Sequence, residues 1–226
     1  SIVRKLLAAV AAITSREIPA DVEVSIDGSF LRIGRDLIDL TDVIELTLDG
    51  GAGGNQTVQV NQLLSTLSKL TLIGGTAGGN TIVGPTGDSQ WQITGGDAGQ
   101  ISGGTTAVTF TGYATLVGGD DDDTFTFVDG AVLSGGIDGG GGVNTLDYSG
   151  RSAGVTVDLG TGTATGVDDT VSGIDVVVGS AGVDTLIGAN TGNIWQVNGQ
   201  DAGDIGGSFA YSGFENLIGG SDDDRF

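Results

Sequence analysis

Both tryptophans of this chain fall on one position of an internal repeat, and that repeat limits the possible folds more than any other feature. Residues 80–103 read NTIVGPTGDSQWQITGGDAGQISG, and residues 184–207 read DTLIGANTGNIWQVNGQDAGDIGG. Trp91 therefore aligns with Trp195, Gln92 with Gln196, and Asp97-Ala98-Gly99 with Asp201-Ala202-Gly203. The next stretch, FTGYATLVGGDDDDTF at 110–125, matches YSGFENLIGGSDDDRF at 211–226 after a small deletion. The large period is 101–104 residues, and self-similarity on this scale marks architectures built by stacking one unit on another.

A shorter period runs inside the long one. Glycine-rich turns begin near Gly50, Gly75, Gly118, Gly139, Gly179 and Gly219, at one or two steps of about 21 residues. Weaker turns at Gly95-Gly96, Gly160 to Gly162 and Gly199 fill the double gaps. Between turns lie short stretches of alternating apolar and polar residues, such as Val22 to Ile26, Thr57 to Val60, Thr124 to Phe127 and Val155 to Leu159. That alternation predicts half-buried strands. Glycine makes up 44 of 226 residues without recurring at every third position, which excludes collagen. Aromatics are 5%, and Met and Cys are absent, so the core must be built from Ile, Leu, Val and Ala, which suit flat stacked strands. The expected fold is all-β: a right-handed parallel β-solenoid of about ten short circuits, rising about 4.8 Å per circuit. An antiparallel β-sandwich repeat is the alternative, because some turns are only roughly 8–12 residues apart.

The expected organisation has four parts. Residues 1–20 form an N-terminal amphipathic helix acting as a cap, with Ile2, Leu6, Val10 and Ile13 on one face. The charge-then-apolar order of this start also fits a targeting segment. Residues 21–79 are early β circuits, whose Leu-rich stretches 36–48 and 62–72 contribute a helical lid over the open end of the stack. Residues 80–183 are a first full repeat, and 184–226 a partial second one. The second copy stops at Phe226, where the first continues into Thr126 to Ser149. Unpaired strand edges are therefore expected there, to be met by further repeats or by end-to-end docking of another copy.

Charge removes whole classes of function. The net charge is -21, so phosphate backbones and anionic lipid surfaces are repelled and no nucleic-acid partner is expected. No apolar run is long enough for a membrane span. From residue 71 onward there are 20 acids, all Asp except Glu215. A merely solvated surface would use Glu freely, whereas Asp is short enough to bond a turn backbone or to ligate a metal from a turn.

Gly179-Ser180-Ala181-Gly182-Val183-Asp184-Thr185-Leu186-Ile187 follows the pattern G-G-x-G-x-D-x-U-x with Ser at the second Gly. Gly118 to Thr126, with Asp120, Asp121 and Asp123, is a second match; Gly219 to Phe226, with Asp222 and Asp224, is a third. Gly139 to Asp147 places Asn144 at the Asp position, Gly75 to Val83 places Asn80 there, and Gly50 to Val58 places Asn55 there. On these residues the chain resembles the haemolysin-type (RTX) calcium-binding repeats. With TFTFVDGAVLSGGIDGGGGVNTLDYSG and VTVDLGTGTATG, it is similar over residues 45–226 to repeats of giant bacterial exoproteins and adhesins. The resemblance implies export to the bacterial cell surface, a structural or adhesive role, and calcium as a cofactor. The implied metal ligands are Asp120, Asp121, Asp123, Asp184, Asp222, Asp224 and Asn144. Here the motifs are isolated and not tandem, so neighbouring circuits would have to share each ion, since Ca²⁺ takes six to eight oxygens. The competing reading is that these residues only shape Asx turns.

No catalytic residue is expected. The chain has no His and no Cys, which excludes Ser-His-Asp, Cys-His and His-metal chemistry. A carbohydrate-binding or polysaccharide-cleaving β-helix is the alternative function, with Asp168-Asp169 as a carboxylate pair and Arg151 as a base. Exposed tryptophans would favour glycan stacking; buried ones favour packing, the expected outcome. Thr-rich segments at 105–106 and 161–165 would form a flat ice- or glycan-facing row only if aligned, and Thr is in any case a good strand residue.

Overall fold

The computed structural model describes residues 3–4, 13–17, 23–28, 30–41, 43–63, 67–103 and 106–226. These residues form 25 strands, each two to seven residues long, and no helix. The strands lie in three sheets of nine, twelve and four. Every antiparallel pairing joins strands consecutive in the chain. The pairings between strands distant in sequence are parallel. An antiparallel sandwich would show the opposite balance.

The chain alternates between sheets, and each return lies beside the previous visit. Thr57–Leu63, Thr81–Val83, Thr115–Val117, Ile137–Asp138 and Val171–Ser172 are successive neighbours in the nine-stranded sheet. Glu45–Asp49 and Lys69–Ile73, and later Asp123–Phe127, Thr145–Asp147 and Val176–Val178, do the same in the twelve-stranded one. Pairing in register stacks like on like. Val58, Ile82, Leu116 and Ile137 form one buried column. Trp91, Phe125, Leu146, Val177 and Tyr211 form another. The side chains between them along each strand point to the other face, so Thr57, Thr81 and Thr115 form a half-buried outer row.

Two expectations need correction. The N-terminal helix is not found: Val3–Arg4 pairs in parallel with Asp36–Asp39, and Ile13–Glu17 with Glu45–Asp49. The rest of residues 1–20 lies outside the described residues. An open strand edge satisfies the backbone of a β-branched pair such as Ile13-Thr14 better than a short isolated helix can. The helical lid fails for the same reason. Asp36–Asp39, Glu45–Asp49, Thr57–Leu63 and Lys69–Ile73 are all strands, with Leu46, Leu48, Leu70 and Leu72 buried in alternation.

The circuit is also not constant. Bonds from the backbone amide of one corner to the side chain of the next span 24 residues from Gln56 to Asn80, 34 from Ser89 to Asp123, 21 from Asp123 to Asn144 and 31 from Asn144 to Asp175. The long circuits carry insertions. Ser89–Gly95, Ala98–Ser102 and Ala107–Thr111 form a three-stranded antiparallel meander, repeated as Trp195–Gly199, Ala202–Ile205 and Phe209–Ser212. The shared Asp-Ala-Gly motif makes the first hairpin of each. Asp97 and Asp201 both adopt the left-handed conformation, at φ of 51° and 53°, which Asp tolerates better than most residues.

Candidate functional site

Four of the predicted ligands, Asp123, Asn144, Asp184 and Asp224, belong to a set of corners at entries into strands. The corner residue precedes an outward-facing residue and then a buried apolar one: Gln56-Thr57-Val58, Asn80-Thr81-Ile82, Ser89-Gln90-Trp91, Asp123-Thr124-Phe125, Asn144-Thr145-Leu146, Asp184-Thr185-Leu186, Asn193-Ile194-Trp195. All seven corner residues are buried. Burying a polar side chain requires full hydrogen bonding, and the glycine turns supply it.

Asp184 Oδ1 accepts from the Val155 amide at 2.6 Å and the Ser180 hydroxyl at 2.7 Å, and Oδ2 accepts from the Ser180 amide at 2.6 Å. Asp123 is held the same way. Its Oδ1 accepts from the Ser89 amide at 3.0 Å and from the Ser89 hydroxyl, and its Oδ2 from the Gly119 amide at 2.5 Å. Asn144 meets the opposite polarity: Nδ2 donates to the carbonyls of Gly141 and Gly173, both at 2.9 Å, while Oδ1 accepts from the Asp123 amide at 2.9 Å. Asn80 repeats this with Gly75 and Gly112 at 2.8 Å each, and with the Gln56 amide at 3.2 Å. The corners form ladders, because the amide of each corner residue donates to the side chain of the next. Ser89, Asp123, Asn144 and Asp175 are one such run. Val155, Asp184 and Glu215 are a second, and Asn193 and Asp224 a third.

The corners also explain the glycines. A Cβ on Gly139 would lie 1.9 Å from the Gly173 carbonyl oxygen, so two backbones touch where Asn144 bonds them.

The seven predicted ligands therefore divide. Asp123, Asp184 and Asn144 are buried corners whose oxygens accept from protein donors. Asp224 is a half-buried corner accepting from the Asn193 amide at 2.9 Å. Asp120, Asp121 and Asp222 are exposed on their turns. Among the described residues no group of three or more His, Cys, Asp or Glu side chains is arranged to hold a metal ion. At the first turn the corner is Gln56 and not Asn55, which is exposed and left-handed. Gln56, Ser89, Asp175, Asn193 and Glu215 were not singled out by sequence. The signal that finds them is position, two residues before each inward apolar side chain.

Other candidates are placed as follows. Trp91 and Trp195 are buried. Trp91 stacks on Phe125 at 5.4 Å, and Trp195 on Phe226 at 5.2 Å. The Arg151 guanidinium lies over the rings of Phe127 and Tyr148, at 5.6 and 5.7 Å, and donates to the Ala131 carbonyl. Asp168 and Asp169 are exposed, and Asp169 caps its own turn through the Thr170 amide at 2.8 Å. Bonds from the Ser152 amide and hydroxyl hold the Asp129 carboxyl below its ordinary range. Thr161 to Thr165 belong to a hairpin turn, with Thr163–Ala164 paired to Thr156–Asp158, and Thr105 lies outside the described residues. A groove of about 360 Å³, lined by Val157, Leu159, Val171, Val177 and Phe209, opens where the nine-stranded sheet ends at Val171–Ser172. No family model, curated protein or solved structure matches this chain.

Proposed function

We propose that the chain is a β-solenoid module with a structural role in a secreted bacterial surface protein or filament. One observation carries this reading: the two copies of the long repeat preserve packing. Trp91 and Trp195 both lie in the interior, each stacked on a Phe and edge-on to Phe110 or Tyr211. A glycan-binding repeat would spend its tryptophans on the surface. The corner carboxylates, likewise, are engaged in holding one circuit to the next. A glycan-binding screen that monitors tryptophan fluorescence tests this. No saturable change is expected, and saturable quenching by a polysaccharide would replace the structural reading with carbohydrate recognition.

Calcium enters as a stabiliser of the exposed turns. Asp120, Asp121 and Asp122 are consecutive and exposed, as are Asp222 and Asp223, and adjacent carboxylates repel one another unless a cation intervenes. Millimolar Ca²⁺ is expected to raise the melting temperature beyond NaCl of matched ionic strength, by RT ln(1 + [L]/Kd) per site. Asp120→Asn with Asp121→Asn should remove much of that difference while leaving the corners intact. If NaCl reproduces the whole shift, screening is the only effect.

A further inference from the structure

The nine-stranded sheet stops at a point internal to the chain. Its last strand, Val171–Ser172, lies on Ile137–Asp138. Thr185–Ile187 is the repeat counterpart of Thr81–Val83, a member of that sheet, but it pairs with Thr156–Asp158 and so belongs to the four-stranded one. The groove of about 360 Å³ opens at this handover. Val171 walls it on one side, Val157 and Leu159 on another, and Val177 and Phe209 of the twelve-stranded sheet on a third. Val176–Val178 lies between Thr145–Asp147 and Phe209–Ser212, and Thr156–Asp158 between Thr163–Ala164 and Thr185–Ile187, so these walls are flanked on both sides.

In the first repeat the matching side chains are covered. Tyr211 stands opposite Val177 as Phe110 stands opposite Leu72, so Phe209 answers to Val108. Val157 stands opposite Leu186 as Val58 stands opposite Ile82, so Leu159 answers to Val60. Val60 and Val108 are 0% and 1% exposed, whereas Leu159 and Phe209 are half-buried. Inward apolar side chains left in contact with water gain from an apolar group that covers them, and the volume falls in the range of roughly 300–1,000 Å³ that small-molecule sites occupy. Among the described residues lining the groove, Asp158 is the only charged one. Val157 beside it points in, so Asp158 stands at the rim, where its Oδ1 accepts from the Gly160 and Thr161 amides at 2.8 and 3.1 Å. From residue 71 onward the chain holds 20 acids and two bases. That field repels a carboxylate or phosphate head and attracts an ammonium.

We propose that this groove binds a cationic amphiphile, an alkyl chain carrying an ammonium head. The chain lies against Val157, Leu159, Val171 and Phe209, and the head sits at Asp158. This site is separate from the structural role proposed above and does not depend on it.

The test is methyl NMR of the 226-residue chain, labelled at Ile, Leu and Val, titrated with three probes of equal chain length: octylammonium, octanol and octanoate. Dispersed methyl signals from the buried Val24, Val58 and Leu72 report an intact fold. Octylammonium is expected to shift the methyls of Val157, Leu159, Val171 and Val177 saturably. At low salt it should bind about tenfold more tightly than octanoate, with octanol between them. Val171→Phe, which fills the groove, should abolish the shifts of the other three residues. Asp158→Asn, which keeps the oxygen that caps the turn, should narrow the gap between octylammonium and octanoate. Should Val171→Phe fail to fold, Asp158→Asn carries the test. The proposal is overturned if octylammonium gives no saturable shift at these methyls, or if the Val58 methyls shift as much, which is general partitioning into the core. It is overturned equally if octanoate binds as tightly, if folded Val171→Phe still binds, or if Asp158→Asn leaves the gap unchanged.

Discussion

Asn144 and Asp123 are nearly identical in shape and are not interchangeable at their corners. Asp123 faces amides and a hydroxyl; Asn144 faces two carbonyls and one amide. Asn144→Ala leaves three backbone groups without partners, which should cost about 2–4 kcal/mol. Asn144→Asp should cost more, because it turns a carboxylate toward two carbonyl oxygens. Urea denaturation midpoints would rank the two variants. The repeat pattern located Asp123, Asn144 and Asp184 in the sequence. It did not disclose what they bond, because each bonds a backbone 21 to 34 residues away in the chain. The tyrosines give a second residue-scale prediction. Burial raises the Tyr148 phenol above its ordinary value of 10.0, and Tyr113 and Tyr211 shift the same way for the same reason. In the unfolded chain these phenols ionise near their ordinary value, while in the folded chain burial delays their ionisation to higher pH. Stability is therefore complete below pH 10 and falls as pH rises above it. Tyr148→Phe should flatten that alkaline loss, at the expense of the 2.8 Å bond from its hydroxyl to the Thr165 carbonyl. Thermal melts from neutral to alkaline pH would show it.

At the scale of elements, short strands and glycine turns were legible, and the meanders were not. The Trp-bearing segment reads as strand, but nothing local marks it as the first of three antiparallel strands whose outer members join different neighbours in the sheet. That choice is made by long-range pairing: Ala107–Thr111 lies on Lys69–Ile73, while Ser89–Gly95 lies on Asp123–Phe127. The uniform circuit of about 21 residues failed for this reason. In place of the expected N-terminal helix, the described residues Val3–Arg4 and Ile13–Glu17 are strands, because a short segment gains more from an available sheet edge than from an isolated helix. The meander is tightly built. A Cβ on Gly99 would lie 2.2 Å from the Gln92 carbonyl oxygen and 2.7 Å from the Phe110 ring. Gly99→Ala should therefore destabilise the chain by about 1–3 kcal/mol, as overpacking does. Gly87→Ala, with open space around its Cβ position, is the control, and denaturation of both would settle the comparison.

At the scale of the whole molecule, the repeat in the sequence implied stacking, and in-register parallel ladders are its structural form. Charge was legible in amount but not in use. The chain carries -21 overall, yet Asp123 and Asp184 spend their charge inside, on backbone amides. The acids that remain for cations are exposed ones such as Asp120, Asp121 and Asp222. Sequence alone cannot separate an inward corner from an outward turn residue one position earlier, because Asp122 and Asp123 are the same residue type on opposite sides of the backbone.

The ladders also decide how the chain bears load. In the proposed stack of circuits each one is bonded only to its neighbours, so tension on the two ends should open bonds one circuit at a time and not shear the stack at once. The corner spacings of 21 to 34 residues fix the length released at each event, about 7–12 nm of extended chain. An optical trap should record a sawtooth of such steps at modest, nearly equal forces, with refolding on relaxation. A single rupture releasing the whole length would contradict this, and with it the image of a molecular tether that yields gradually and recovers.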